Sequence, residues 1–236
     1  MGNNTLTIDE AEAASLLDWW LEAGVDVAVA EQPRDWTRAR VAAPVAPAEL
    51  PPPPSSGKLD TLAAFHAWLA AADRLPLARP NARRVLPQGR EAASLMVLAD
   101  LPGPEEAARS QPIAGEAWVL AQRMLAAIGV RPDEAYIASL ACFHVPGVRP
   151  SGEELDRCAQ IARDHVRLAR PGRLLLFGDA AAKALTGQPL ARARGKVHRI
   201  ESIRTVATFH PRWLLQRPSD KALAWADLLL LMSEEG

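Results

Sequence analysis

Cysteine is scarce in this sequence: Cys142 and Cys158 are the two that occur among 236 residues. Two cysteines cannot form the disulfide framework of a small secreted domain, so we expect free thiols in a reducing compartment unless they bind a metal or each other. No uninterrupted apolar run reaches the roughly 20 residues of a membrane-spanning helix. The N-terminal segment also lacks the basic start of a signal peptide. These absences predict a globular, cytoplasmic protein with no part in a membrane.

A strong net charge is also absent, since 27 basic and 28 acidic residues give a formal net charge of −1. This balance excludes a globally basic nucleic-acid-binding protein. Between residues 188 and 217, however, seven basic residues occur with a single acid, Glu201. The segment is a candidate phosphate-facing patch, and a solvated arginine-rich loop is the alternative. The seven basic residues are Arg192, Arg194, Lys196, Arg199, Arg204, Arg212 and Arg217.

Composition divides the chain into three segments. Residues 1–41 are predicted to form an N-terminal helical arm, because Leu16, Leu17, Trp20 and Leu21 lie on one helical stripe. Residues 42–57 contain four consecutive prolines at 51–54 and are predicted to form an extended linker. The remaining residues, 58–236, are predicted to form one globular domain.

Short apolar runs alternate with helical patterns through this domain. The runs cover residues 95–99, 136–141, 174–177 and 205–209, and the helical patterns cover residues 59–75, 113–128, 152–168, 180–185 and 219–232. This alternation predicts an α/β fold, a three-layer α/β/α sandwich around a central, mostly parallel four-stranded sheet. Functional groups in such folds collect at the carboxyl ends of the strands.

Six motifs near these strand ends carry a family resemblance. They are Ala-Asp-Leu-Pro-Gly at 99–103 with Glu106, Gln-Pro-Ile-Ala-Gly at 111–115, Tyr-Ile-Ala-Ser at 136–139 with Cys142, Pro-Gly-Val-Arg-Pro at 146–150, Arg-Gly at 194–195, and Thr-Phe-His-Pro-Arg-Trp-Leu-Leu at 208–215. Their order and spacing resemble the uracil-DNA glycosylase superfamily, specifically its iron-sulfur, family-4-type branch. The last motif is the most specific.

The resemblance implies two catalytic residues, Asp100 and His210. An enzyme of this kind flips a damaged base out of the duplex and needs a donor for the charge on the departing base, together with a group that orients water and offsets charge on the sugar. His210 stands where the family has its histidine donor. Asp100 stands where the family has a glutamate, which is one methylene longer. A structural histidine and an aspartate that caps a turn are the alternatives.

The resemblance also implies a base-binding pocket made by Leu101, Pro102, Gly103, Ile113 and Ser139. Ser139 replaces an asparagine that reads the uracil edge through paired hydrogen bonds, and Ile113 replaces a phenylalanine on which uracil stacks. Each replacement removes a contribution of about 1–3 kcal/mol. Uracil specificity is therefore the least supported part of the resemblance.

A DNA-binding surface is expected around the last motif. Trp213 and Leu214, with the adjacent Leu215, suit an apolar wedge that enters the duplex, while arginines hold the phosphates. Burial at the start of a helix is the alternative for Trp213 and Leu215. The residues predicted to bind DNA are Arg149, Arg194, Lys196, Arg212, Trp213, Leu214 and Arg217.

The resemblance raises the question of an iron-sulfur cluster. Cys142 and Cys158 have the separation of the family's last two cluster cysteines, but the first pair is missing around His66. A [4Fe-4S] cluster wants four thiolates, and His66 and His144 are poor substitutes. We therefore expect no cofactor and interpret the two cysteines as remnants of a cluster site.

Two functions follow from these motifs. The first is a DNA repair glycosylase that acts in base excision, through base flipping, as a monomer on uracil or another damaged base in DNA. The second is a catalytically impaired or non-catalytic relative that binds DNA or a protein partner, with residues 1–41 as the candidate partner-binding segment. A doubly wound nucleotide-binding enzyme is disfavoured, because the chain has no glycine-rich phosphate loop of either standard type.

Overall fold

The structure, a computed structural model, describes residues 60–233. The predicted arm at 1–41 and linker at 42–57 lie outside the described residues, so the domain boundaries stay predictions. Within 60–233, every helix is too short or too polar to cross a membrane.

The described region contains eight strands: β1 Arg83–Arg84, β2 Gln88–Gly89, β3 Leu95–Ala99, β4 Tyr136–Ser139, β5 Phe143–His144, β6 Arg173–Phe177, β7 Val197–Ile200 and β8 Ile203–Thr208. Six of them form the central sheet, in the order β2-β4-β3-β6-β8-β7, and β1 and β5 form a separate antiparallel pair. Strands β4, β3, β6 and β8 are parallel, while β2 and β7 pair antiparallel at the two edges. The predicted mostly parallel α/β sheet is confirmed, but its predicted size of four strands was too small.

The two added edge strands have a physical explanation in their sequences. Strand β2 is a two-residue Gln-Gly segment with both residues exposed, so it carries no apolar pattern. Strand β7 has two polar residues at its centre, His198 and Arg199, and joins β8 through a two-residue turn at Glu201 and Ser202. Both turn residues have positive φ angles of 48° and 68°, which matches the twist of a tight hairpin but lacks its usual Asn-Gly signature.

Helices cover both faces of the sheet. The α-helices of the described region are α1 Leu62–Ala71, α2 Pro104–Arg109, α3 Gly115–Ala127, α4 Gly152–Ala169, α5 Asp179–Thr186, α6 Leu190–Ala193, α7 Pro211–Gln216 and α8 Lys221–Met232. One core contains Met96 and Leu98 of β3 with residues of α1, α4, α5 and α6, and the other contains Leu95 and Val97 with residues of α3, α7 and α8. Alternate residues of a strand therefore enter opposite layers, as a three-layer sandwich requires.

Candidate active site

Three parallel strands end at the same level on the carboxyl edge of the sheet. Ala99 of β3 is opposite Phe177 of β6, which is opposite Thr208 of β8. The chain then continues into Asp100 after β3 and reaches His210 two residues after β8. The two residues predicted to be catalytic therefore lie on either side of the end of β6.

Asp100 is partly buried and anchored by the next helix. Its Oδ1 accepts a hydrogen bond from the backbone N–H of Ala181, in the first turn of α5, at 2.8 Å. Gly178 makes this approach feasible, because a Cβ at that position would overlap the Asp100 carboxylate and its φ of 103° disfavours other residues. Loss of hydration on burial raises the pKa of Asp100 to about 6, against the lowering effects of the Ala181 N–H and the Arg212 charge.

His210 is buried at the N-terminus of α7. Its Nδ1 accepts a hydrogen bond from the backbone N–H of Arg212 at 3.1 Å. Burial, and then repulsion by the Arg212 guanidinium, lowers the pKa of His210 to about 3. The imidazole is therefore neutral at physiological pH, and because Nδ1 is an acceptor, the proton is on Nε2. This Nε2 has no hydrogen-bond partner among residues 60–233.

Glu106 links the loop after β3 to the segment that contains His210. Its side chain is 2% exposed, and Oε2 accepts hydrogen bonds from the Gly103 N–H at 2.9 Å and from Arg212 Nη1 at 3.2 Å. The carbonyl of Pro102, in the same loop, accepts a hydrogen bond from His144 Nδ1 at 2.9 Å. The sequence analysis gave Glu106 no role, although a glutamate three residues after the N-cap of a helix can accept the N-cap backbone N–H, as Glu106 does from Gly103.

The residues predicted to form the base pocket differ in their surroundings. Ser139 is partly exposed at the end of β4, with its Oγ 3.5 Å from the Pro112 carbonyl. Ile113 is 2% exposed and belongs to the core beneath α3. Pro102 and Gly103 are buried, and Leu101 is partly exposed. Their contact with a base stays a prediction.

The last motif presents part of its apolar side chains at the surface. Trp213 is 41% exposed and Leu215 is 39% exposed, whereas Leu214 is 1% exposed and packs in the core. Leu214 therefore lies on the face of α7 that packs against the rest of the domain, because a short surface helix has to bury one face. Trp213 is held in place by a hydrogen bond from Nε1 to Asp220 at 2.8 Å and by the Arg217 guanidinium 4.8 Å from its ring centre.

The basic residues predicted to bind DNA fall into two groups. Arg149, Lys196 and Arg217 are exposed. Arg212 and Arg194 are already paired: Arg212 with Glu106, and Arg194 with the buried Asp227 at 3.0 Å. Asp227 also accepts hydrogen bonds from the Thr208 hydroxyl and the Gly195 N–H. Arg194 is thus part of the packing that fixes α8 against β8.

The chain does not provide the ligands for an iron-sulfur cluster. The sequence has two cysteines, Cys142 and Cys158, and both line a cavity beside His165. The cavity has a volume of about 20 Å³, which is room for about one water molecule. Burial raises the pKa of both thiols to about 12, so neither is a thiolate at neutral pH. Within 60–233, no three histidine, cysteine or acidic side chains are grouped as metal ligands. Two thiols cannot replace the four thiolates of a [4Fe-4S] cluster.

Comparisons with known proteins agree with the resemblance of the motifs. The type-4 uracil-DNA glycosylase of Archaeoglobus fulgidus is 28% identical over 141 residues, which is 55% of this chain and 71% of that protein. The type-4 uracil-DNA glycosylase of Pyrobaculum aerophilum is 25% identical over 177 residues, which is 70% of this chain and 90% of that protein. A DNA polymerase of Bacillus phage SP01 is 25% identical over 156 residues, or 65% of this chain, within 17% of its own length.

The family assignment follows from the match of a family model. A sequence model described as the uracil DNA glycosylase superfamily matches residues 86–229, which include β3, β4, β6 and β8 and the loops that follow them. Since this match covers more than half of the chain, the protein belongs to the uracil DNA glycosylase superfamily, and its similarity to the two type-4 enzymes shows that it resembles the type-4 branch.

Proposed function

We propose that this protein is a DNA repair glycosylase that hydrolyses the N-glycosidic bond of a flipped-out uracil or a related damaged base, acting as a monomer. The observation that carries the proposal is the placement of Asp100 and His210 after β3 and β8, on either side of β6. Strands two positions apart in a sheet are separated by roughly 10 Å. This spacing is of the size of a nucleoside, which supports a substrate site between the two strand ends.

His210 is suited to donate a hydrogen bond to the departing base. The neutral imidazole carries its proton on Nε2, because Nδ1 accepts the Arg212 N–H. A donor that is already fixed in place can stabilise the negative charge that grows on the base as the glycosidic bond breaks. The cationic Arg212, which lowers the pKa of both His210 and Asp100, adds positive potential at the same place.

Asp100 is suited to the sugar side of the reaction. As a carboxylate it can orient the attacking water and offset the positive charge that develops on the deoxyribose. Its anchor at the Ala181 N–H fixes the orientation of the short side chain. This anchor supports a role for aspartate where the resemblance implies a glutamate.

The exposed side chains around α7 are suited to hold the duplex. Trp213 and Leu215 are the two apolar side chains available as a wedge, since Leu214 is buried. Arg217 is stacked on Trp213 and can reach a phosphate next to the wedge. Arg149 and Lys196 are further exposed cations that can hold the backbone.

A catalytically impaired DNA-binding relative is the second candidate function. Ser139 lacks the paired donor and acceptor that read uracil, and Ile113 offers no aromatic face and packs in the core. Both features weaken the binding of uracil itself, but neither involves Asp100 or His210. They therefore favour a low uracil activity, or a different damaged base, before they favour the complete loss of catalysis.

The test is an excision assay with a labelled oligonucleotide that contains one uracil, as a single strand and in a duplex. Alkali then cleaves the abasic product. We expect excision by the wild type and a loss of about 100- to 1000-fold for His210→Ala, because the leaving base loses its donor. His198→Ala is the matched control, since His198 contacts the Ala193 carbonyl and has no part in the proposed site. If the wild type binds the oligonucleotide and excises nothing from uracil or other damaged bases, the second candidate replaces the first.

A further inference from the structure

An apolar groove lies between α3 and α8, on the layer that also contains α7. Its volume is about 180 Å³. Met124, Leu214 and Leu228 are buried in its floor, while Trp225 on its wall is 42% exposed. The groove is lined by Leu120, Arg123, Met124, Ala127, Leu214, Lys221, Ala224, Trp225 and Leu228.

The apolar surface continues beyond the groove along both helices. Leu229 is 50% exposed and follows Trp225 by one helical turn, and Val119 is 46% exposed and precedes Arg123 by one turn. Contiguous apolar surface of this kind commonly marks a protein-binding site, and tryptophan is over-represented among the residues that dominate binding energy. The groove is therefore more than a scatter of single exposed side chains.

The charges at the groove have one sign. Arg123 and Lys221 are exposed in its lining, and neither forms an ion pair with any residue between 60 and 233. Lys221 is the first residue of α8, where the helix dipole is positive and favours an anion. Both positions would consequently be stabilised by carboxylates from outside this part of the chain.

We propose that this groove binds an amphipathic helix of a partner protein. The apolar stripe of that helix packs on Trp225, Met124 and Leu228, and its flanking acidic residues pair with Arg123 and Lys221. A groove between two helices with apolar anchors and charged edges fits the helix-in-groove mode of recognition. Two cations around an apolar floor do not form the phosphate-tracking path that a nucleic acid needs. The proposal requires neither Asp100 nor His210, so it is independent of the glycosylase activity.

The test uses two synthetic amphipathic helical peptides, each roughly four turns long. Both carry leucines at i, i+3 and i+7, and they differ in having glutamates or lysines beside this stripe. Calorimetry with the full chain should show binding of the glutamate peptide and at least about tenfold weaker binding of the lysine peptide. Trp225→Glu should weaken binding of the glutamate peptide by about tenfold or more. Leu223→Glu is the matched control, because Leu223 is 44% exposed on the same helix but does not line the groove.

Charge reversal distinguishes binding at a specific site from non-specific hydrophobic binding. In the Arg123→Glu, Lys221→Glu double variant, the preference should invert so that the lysine peptide binds more tightly. The proposal is overturned if neither peptide binds the wild type at millimolar concentration, or if Trp225→Glu and Leu223→Glu weaken binding equally. It is also overturned if the protein dimerises and Trp225→Glu abolishes the dimer, because the groove then accommodates a second copy.

Discussion

The two candidate catalytic side chains show how burial at one edge of a sheet sets opposite chemical roles. Burial raises the pKa of Asp100 to about 6 and lowers that of His210 to about 3. At neutral pH the first is still mostly a carboxylate and the second is a neutral imidazole. An ionised carboxylate and a neutral imidazole therefore coexist at this edge of the sheet, which is the combination that the proposed reaction needs.

The first prediction concerns the pH dependence of excision. Since only the ionised Asp100 can orient water, the single-turnover rate should rise with pH up to about 6 and then level off. His210→Gln should be slower but should keep the same acid limb, because His210 is already neutral above about pH 3. Rates measured between pH 4.5 and 8 test this, with about tenfold change per unit on the limb. A limb that disappears in His210→Gln would assign it to the histidine instead.

The second prediction concerns the stability cost of the same carboxylate. The folded-state pKa of Asp100 is raised above its ordinary value of 3.8, so the ionised form is less favourable in the folded protein than in the unfolded chain. This cost is absent below about pH 4, grows as pH rises and is complete above about pH 6. Asp100→Asn keeps an acceptor for the Ala181 N–H and should raise the free energy of unfolding by about 1–3 kcal/mol at pH 7 and by little at pH 4. Urea unfolding at both pH values measures the difference; equal effects at the two would contradict the assignment.

The third prediction concerns uracil recognition by Ser139 and Ile113. Ser139→Asn adds a paired donor and acceptor at a partly exposed strand end and should raise uracil excision by about tenfold. Ile113→Phe adds a stacking face but enlarges a side chain that is 2% exposed in the core, so it should also lower stability by about 1–3 kcal/mol. Excision and melting of the single and double variants test both parts. His210→Ala should remove the gain; an unchanged rate in a folded Ser139→Asn variant would show that the base does not reach this position.

At the scale of elements, a partly buried hydrogen-bond network around Tyr136 connects helix α1 to the sheet and to α4. The Tyr136 hydroxyl at the start of β4 lies 2.5 Å from His66 Nε2 on α1 and 2.6 Å from His165 Nε2 on α4. A hydroxyl has one proton, so one imidazole accepts and the other donates. Phe65 of α1 packs against the His165 ring at 4.7 Å between ring centres. This hydrogen-bond network lies next to the cavity that Cys142 and Cys158 line, since His165 is part of the network and also lines the cavity.

The fourth prediction tests this connection. Tyr136→Phe leaves both imidazoles without their shared partner, and because His165 is 3% exposed it cannot recover a hydrogen bond from bulk water. The variant should lose about 1–3 kcal/mol of stability. The rate of amide hydrogen exchange should rise first in α1, because the hydrogen bond between His66 and Tyr136 connects this helix to β4. Ala67→Ser, on the exposed side of the same helix, is the control for a general effect on α1.

Which elements could be predicted depended on how deeply they are buried. The central strands are continuous apolar runs, and β3 was predicted at its observed bounds because all five of its residues are buried. The start of α4 was predicted correctly at residue 152, where the structure has a capping box of Ser151 and Glu154 that depends on local contacts only. Helix α2 escaped prediction because its six residues are too few for a periodic pattern. The edge strands are held by pairing with neighbours that are distant in sequence, which local patterns do not register.

The candidate site was predictable at the level of its strand ends and not at the level of its contacts. The rule that functional groups follow parallel strands selected the segments after β3 and β8, and the family resemblance identified Asp100 and His210 within them. It could not find the Arg212 contact of Glu106, because this contact joins residues 106 positions apart. Nor could composition separate the paired Arg194 from the exposed Lys196, since a buried partner such as Asp227 becomes visible only in the folded chain.

At the scale of the whole molecule, the fold reduces the number of cations that are available to DNA. The segment 188–217 has seven basic residues in the sequence. In the structure, however, Arg194 forms an ion pair with Asp227, and Arg212 forms one with Glu106. Helix α8, which contains Asp227, accounts for one of these pairings, and helix α2, which contains Glu106, accounts for the other. A protein with a net charge of −1 and few exposed cations near its site should consequently bind DNA weakly and through a small number of phosphates.

The fifth prediction follows from this smaller count. If Arg149, Lys196 and Arg217 each contact one phosphate, the logarithm of the DNA-binding constant should fall with the logarithm of salt concentration with a slope of about −3, since each contact releases nearly one counterion. Arg217→Gln should reduce the slope by about one and weaken binding to all sequences alike. Arg170→Gln is the control, because Arg170 is exposed after α4, at the end of the domain where the parallel strands begin. Titrations from low to moderate salt measure the slopes. Binding that does not respond to salt would show that this face does not hold the phosphate backbone. A slope of about −5 would show that Arg194 and Arg212 also contact phosphates, so that their ion pairs open when DNA binds.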